Sequence, residues 1–377
     1  MATIAKIQVE NNNPVLAVQE FLRGLLKDES VGGVLVPVHL FGNGLPMPTL
    51  VTAPDMLSGA DPLAPAYAMN SAKLLSRLTR GRPGERIVAV LRPCEIRAFV
   101  ELVKLNQGSL DDVIIVGVDC KGAYSNTDYK TFVGERDSME ASMDFHAQEN
   151  GSVNGVDLTS ACKSCEFPAP ENADIILALA GADLKQAIPV MADSARGEAL
   201  LNTMGLPDMI LGERNQVLEK LIAERIQYRD AMFEKTTAQT GNLTDLAGYF
   251  SGCVNCYNCR VACPVCYCKE CVFNTDVFEH KPWQYLGWAK SKGGLKMPTD
   301  TVFFHLTRMV HMSTACVGCG QCSNACPNDI PVMKLFRTVA ARTQQSFEYL
   351  PGRSLDESPP LSVFKENEFQ DTVSHMA

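Results

Sequence analysis

Over residues 1–240, short apolar runs rich in β-branched residues alternate with longer stretches whose apolar positions recur every three to four residues. The short runs are "GGVLVPV" from Gly32, "RIVAVL" from Arg86, "DVIIVGV" from Asp112 and "DIILALA" from Asp174. Each reads as a strand, buried on both faces. Between them, "PVLAVQEFLRGLLKD" sets Val15, Val18, Phe21, Leu22 and Leu25 on one helical stripe, and "CEIRAFVELVKL" does the same with Ile96, Phe99, Val100 and Val103. This alternation predicts an α/β domain built on a mainly parallel sheet covered by helices. A long charged helix, "ERNQVLEKLIAERIQYRDAMFEK", follows, and "TTAQTGNLTDLAG" is the expected linker.

Beyond the linker the pattern turns helical. A helix capped by Asp300, with Val302, Leu306, Met309 and Val310 on its core side, is expected to lead into Cys316. After Pro331, "PVMKLFRTVAAR" repeats the arrangement with Val332, Leu335, Phe336 and Val339. The expected organisation is an α/β domain at 1–240, a mainly α-helical domain at 241–345 and a polar, proline-punctuated tail at 346–377.

Composition narrows the class. The chain has 377 residues, 46% of them hydrophobic and 20% charged, which suits globular domains with cores of their own. Its net charge of -9 argues against nucleic acid or an anionic membrane as partner and suits a protein partner. No apolar run reaches the roughly 18 residues needed to span a bilayer, and the N-terminus lacks a signal-peptide pattern, so a cytoplasmic location is expected. In that compartment thiols stay reduced, and 15 cysteines read as metal ligands.

Their spacing carries the chemistry. Cys253, Cys256, Cys259 and Cys263, followed by Pro264, spell the C-x2-C-x2-C-x3-C-P run of bacterial-type ferredoxins, and Cys316, Cys319, Cys322 and Cys326 before Pro327 repeat it. In such pairs the fourth cysteine of each run ligates the other 4Fe-4S cluster. The first cluster would therefore use Cys253, Cys256, Cys259 and Cys326, and the second Cys316, Cys319, Cys322 and Cys263. Four more cysteines lie in the first domain. Cys94 and Cys120 each follow a strand, and the carboxyl ends of parallel strands border the ligand crevice. Cys162 and Cys165 add a chelating C-x2-C pair. The four could hold a third 4Fe-4S cluster, or be two buried thiols plus half a zinc site. Cys266, Cys268 and Cys271 are left over. They could hold a fourth cluster with Asp276 or His280, or one of them could replace Cys94 or Cys120 on the third. A match of Cys259, Cys263 and Cys266 to the radical S-adenosylmethionine spacing reads as accidental, since no (β/α)8 pattern surrounds it. No catalytic triad, paired carboxylate set, Walker loop or G-x-G-x-x-G is present to suggest other chemistry.

The elements "RPCEIRAFVEL", "VGVDC" and "CKSCEFPAPENADIILALAG", in that order, resemble the flavin-binding beta subunits of coenzyme F420-dependent hydrogenases and dehydrogenases, over roughly residues 14–185. The resemblance implies that Cys94, Cys120, Cys162 and Cys165 bind one 4Fe-4S cluster beside an FAD. It also implies that "YAMNSAKLLSRL" meets the flavin phosphates through Asn70, Ser71 and Lys73. An ordinary helix cap is the competing role for Ser71. The C-terminal module "FFHLTRMVHMSTACVGCGQCSNACPNDIP" looks like iron-sulfur parts of heterodisulfide reductase and formate dehydrogenase systems. The implied function is an iron-sulfur flavoprotein subunit of a cytoplasmic redox complex. It would exchange a hydride with coenzyme F420 or NAD(P)H at FAD and pass single electrons to a partner such as formate dehydrogenase, hydrogenase or heterodisulfide reductase. Two competing readings are a flavin-free wiring subunit with only 4Fe-4S clusters, placed between two proteins, and a scaffold whose first domain has kept only its structure.

Overall fold

The computed structural model describes residues 3–40, 44–81, 84–148, 151–152, 155–275, 281–292 and 299–363. Seven strands form one sheet: β1 (Ile4–Gln8), β2 (Val31–Val38), β3 (Met47–Val51), β4 (Arg86–Leu91), β5 (Val113–Val118), β6 (Ile175–Leu177) and β7 (Ala187–Ala192). Their order across the sheet is β1-β7-β6-β5-β4-β2-β3.

The four expected runs become β2, β4, β5 and β6 and pair in parallel. The sheet as a whole is mixed rather than mainly parallel, because three further pairings are antiparallel: β2 with β3, β6 with β7 and β1 with β7. The reason lies in the connections. Short links from β2 to β3 and from β6 to β7 leave no room for the crossover helix that a parallel neighbour needs. The added strands are short and half-exposed, or carry proline: Pro48 of β3 faces Pro37 of β2 across the ladder.

Both faces are covered. On one, Val15, Val18, Phe21 and Leu22 of the Pro14–Leu26 helix pack on Val34, Val88, Ile114 and Val116. Asn13 caps that helix by accepting from the Leu16 amide at 2.9 Å. On the other face, Ile96, Phe99 and Val100 of the Pro93–Lys104 helix pack on Ile87, Ala89, Leu91 and Ile115. Val265, Met312, Ala315 and Val317 from the cysteine-rich half join this same core. The helical half is therefore seated on the sheet. The long helix runs Arg214–Gln239, and a turn separates it from the Leu243–Tyr249 helix, which Asn242 caps. No helix among the described residues is long and apolar enough to cross a membrane.

The helix leading to Cys316 spans Thr299–Met312; Met309 is buried and Val302 packs against the same core as expected, but the rest of its buried face differs. Leu306 is 36% and Val310 75% exposed, whereas Thr301, Phe304, His305, Arg308 and Met312 are buried. Polar residues occupy the inward stripe because of what lies inside it.

Candidate metal centres

Cys253, Cys256, Cys259 and Cys326 line one small cavity. Cys316, Cys319, Cys322 and Cys263 line a second. Each set combines three cysteines of one run with the fourth of the other. Among the described residues no three Cys, His, Asp or Glu side chains close on a point suited to a single ion. A cavity lined by four thiols with ferredoxin-type spacing suits a 4Fe-4S cluster.

Local geometry explains why these loops fold so. Gly318 and Gly320 take φ of 71° and 80°, the left-handed region that bends the chain between ligands. A Cβ on Gly320 would lie 2.4 Å from the Ala161 Cβ, so glycine there also lets the loop touch the Ser160–Lys163 helix that carries Cys162.

The Thr299–Met312 helix supplies donors to the first quartet. The Arg308 Nη1 donates to the Cys259 sulfur at 3.1 Å and its Nη2 to the Cys259 carbonyl at 3.1 Å. His305 Nε2 lies 3.4 Å from the Cys253 sulfur, with its ring stacked on Phe250 at 3.7 Å. Burial, helped by Arg308, pushes the His305 pKa down to about 3, so the imidazole stays neutral. Burial also pushes the Cys259 thiol up to about 11, and Arg308 opposes it. Such thiols need either a metal or a cation to ionise. Arg308 interacts with Cys259, Cys263 and Cys322, and so belongs to both quartets.

The third set sits at the carboxyl ends of β4 and β5 and on the loop beside them. Cys94 opens the helix after β4 and Cys120 follows β5. Cys120 lies near Cys162 and Cys165, and Cys94 lies near Cys120. Burial raises Cys120 to about 11, while Arg92 and Arg225 oppose that rise. The buried Arg225 donates to the carbonyls of Cys165, Cys120 and Lys121 at 3.3, 3.2 and 2.8 Å, tying both ligand loops to the long helix. Four thiols beside two arginines suit an anionic cluster. Next to Cys120, Arg92, Lys121, Phe145 and His146 border a narrow crevice at the carboxyl end of β5.

Asn70, Ser71 and Lys73 lie at the start of the Ala72–Leu78 helix, against the cysteine-rich half. The Ser71 amide donates to Glu95 at 2.8 Å, and the Ala72 amide to Asn70 Oδ1 at 3.0 Å. Lys73 Nζ donates to the Val261 carbonyl at 3.1 Å, near Cys263 and Cys266. These donors are engaged within the protein, and a carboxylate stands where a phosphate would have to bind.

The leftover cysteines stand apart. Cys266 packs with Cys263 against the sheet core, Cys268 is exposed, and Cys271 packs by Cys259, Phe273 and Phe304. Asp276 and His280 lie outside the described residues. Sequence reasoning had missed Arg308, His305, Arg225 and Arg92. The one signal for them was polar residues at helical spacing, Thr301, His305 and Arg308, just before a cysteine run.

Residues 84–216 match the family described as coenzyme F420 hydrogenase/dehydrogenase, C terminus of the beta subunit, and residues 309–332 match a 4Fe-4S binding domain. The chain is 29% identical to the F420-dependent formate dehydrogenase subunit beta of Methanocaldococcus jannaschii, over 92% of this chain and 93% of that one. It is 27% identical to the F420-dependent formate dehydrogenase 1 subunit beta of Methanococcus maripaludis, over 83% and 84%. Among solved structures, a chain of the F420-reducing [NiFe] hydrogenase complex from Methanosarcina barkeri aligns with 64% of this chain and 94% of its own, at 15% identity and a TM-score of 0.45. Residues 84–216 thus carry a domain of the coenzyme F420 hydrogenase/dehydrogenase beta-subunit type, joined to a 4Fe-4S binding domain at residues 309–332.

Proposed function

We propose that this chain is the beta subunit of a multi-subunit F420-dependent oxidoreductase, holding three 4Fe-4S clusters and FAD. When bound, these groups supply one-electron steps and the exchange between a hydride and single electrons. The observation that carries the reading is the serial placement of three cysteine quartets. The Cys94, Cys120, Cys162 and Cys165 set lies in the α/β half, with Cys94 near Cys319 of the middle set. Arg308 links the middle set to the Cys253 set, where Cys256 is exposed. We place the hydride-exchanging end at the crevice beside Cys120, where Arg92 and Lys121 offer positive charge to an anionic cofactor. Reduced coenzyme F420 is the favoured donor and NAD(P)H the second. Electrons would leave through the Cys256 end to a partner protein of the same complex.

The engaged donors at Asn70, Ser71 and Lys73 favour one competing reading, the flavin-free wiring subunit. Iron and flavin counted on anaerobically purified chain separate the two. About twelve iron atoms and one FAD per chain are expected, since each cubane contributes four. About eight iron atoms without flavin would leave only the ferredoxin pair and the wiring role, and about sixteen would give Cys266, Cys268 and Cys271 a cluster of their own. In Lys73→Ala, a loss of FAD would assign that lysine to the flavin phosphates, and full FAD would leave it to the Val261 contact.

A further inference from the structure

We infer that the joint between the two halves holds a binding site for a nucleotide-sized organic phosphate, separate from the crevice beside Cys120. A cavity of about 350 Å³ opens there, a size typical of small-molecule sites. Three segments distant in sequence wall it: Arg97 from the Pro93–Lys104 helix, Arg229 and Phe233 from the long helix, and Arg337 and Arg342 from the Val332–Ser346 helix. None of the residues lining it borders the Cys120 crevice.

The walls carry more positive charge than they neutralise. Four arginines face two carboxylates, Glu166 and Asp230. Arg229 pairs with both, at 3.1 and 2.8 Å, and Arg337 takes the second oxygen of Glu166. Arg97 and Arg342 make no ion pair among the described residues. Arg97 is 5% exposed and donates from Nε and Nη1 to the Pro351 and Val317 carbonyls, at 3.0 and 3.5 Å. Its Nη2 has no hydrogen-bond partner among the described residues. Arg342 donates from Nη2 to the Thr237 hydroxyl at 3.0 Å. A buried guanidinium without a counter-charge is costly to hold, and phosphate oxygens match the arginine fork two at a time. A phosphate monoester, with close to two negative charges at neutral pH, answers both arginines at once. The cavity has room beyond the phosphate, and its other lining is apolar. Phe167, whose ring lies 3.8 Å from the Arg97 guanidinium, and Phe233 offer aromatic surface beside Val317, Ala340 and Leu350. A ligand seated there touches both halves, so its binding stabilises their joint.

The test uses the full chain purified anaerobically, with AMP, inorganic phosphate and adenosine as probes in low-salt calorimetric titrations and thermal melts. AMP should bind and raise the melting temperature, adenosine should do neither, and inorganic phosphate should bind about tenfold more weakly than AMP or worse. Arg342→Gln, at an exposed position of its helix, keeps the fold and should weaken AMP binding about tenfold. Arg97→Lys keeps the charge but loses the fork, and should weaken AMP binding as well. No AMP binding at millimolar concentration overturns the site. So does equal affinity for AMP and inorganic phosphate, or an AMP affinity that Arg342→Gln leaves unmoved, which would seat the nucleotide elsewhere. Each of these results is independent of the iron and flavin counts, so the reading of the cysteine sites stands or falls apart from this one.

Discussion

Arg308 is 4% exposed, and its Nε has no hydrogen-bond partner among the described residues. A buried guanidinium costs several kcal/mol unless its charge is answered. The answer here is sulfur: Cys259 accepts directly, and Cys263 and Cys322 stand near. Arg308→Gln should leave the fold intact, since the Phe304 and Phe336 rings that flank the guanidinium remain. It should lower the reduction potential of the Cys253 site, by loss of a charged hydrogen bond of about 1.5–3 kcal/mol. Redox titration reads the shift, and an unmoved potential would make Arg308 purely structural. His146 gives a different handle. Its Nε2 lies 3.0 Å from the Leu63 carbonyl, and burial pushes its pKa down to about 4 from an ordinary 6.5. Between those values the unfolded chain binds a proton that the folded chain refuses, so stability rises with pH across that window and falls as acid is added. His146→Gln should flatten the slope of melting temperature between pH 4 and 6.5. An unchanged slope would mean that His146 is protonated in the fold.

At the scale of the element, the Thr299–Met312 helix separates what periodicity can and cannot reveal. Apolar spacing finds a helix and its length, but it assigns the inward face to the apolar stripe by default. Here the inward stripe borders thiols, so Thr301, His305 and Arg308 turn inward and Val310 turns out. Val310→Lys should therefore change stability by no more than about 0.5 kcal/mol. Phe304→Ala, 1% exposed and packed with Phe273 and Tyr257, should cost about 3–5 kcal/mol. Thermal melts of both variants check the assignment, and the reverse ranking would restore the apolar face. The strands follow the same rule. β2, β4, β5 and β6 were legible because both their faces are buried, which writes a continuous apolar run. β1, β3 and β7 pair at or near the edges, where half-exposure and proline blur the signal. The cysteines of the second run were legible as part of a 4Fe-4S binding domain because their spacing follows the chemistry of a cubane, whatever the surrounding fold. Their supporting arginines were not, since Arg225 and Arg308 come from segments distant in sequence from most of the loops they hold.

For the molecule as a whole, the two halves are locked by contacts that no local pattern records. The middle quartet's loop touches Ala161, its Met312 and Val317 neighbours join the sheet core, and the chain then returns to the α/β half. There the fully buried Glu101 accepts from the Tyr349 hydroxyl at 2.6 Å and the Gly352 amide at 2.8 Å, while Arg97 donates to the Pro351 carbonyl at 3.0 Å. Truncation after Ser346 leaves Glu101 with only Lys104 and exposes the Pro93–Lys104 helix. It should lower the melting temperature by several degrees, for a loss of a few kcal/mol. Melting at the full-length value would show that the clasp is dispensable.

Cys256 differs from the other cysteines of the three sets in one respect: it is exposed, whereas Cys259 beside it is buried and both other sets are at least partly covered. On the proposed function, the opening that would let a partner come close enough for electron exchange admits dioxygen as well. In isolation, this chain should age from that end, losing the Cys253 site to air before the two inner sites. A docked partner would then serve as a stopper as much as a recipient.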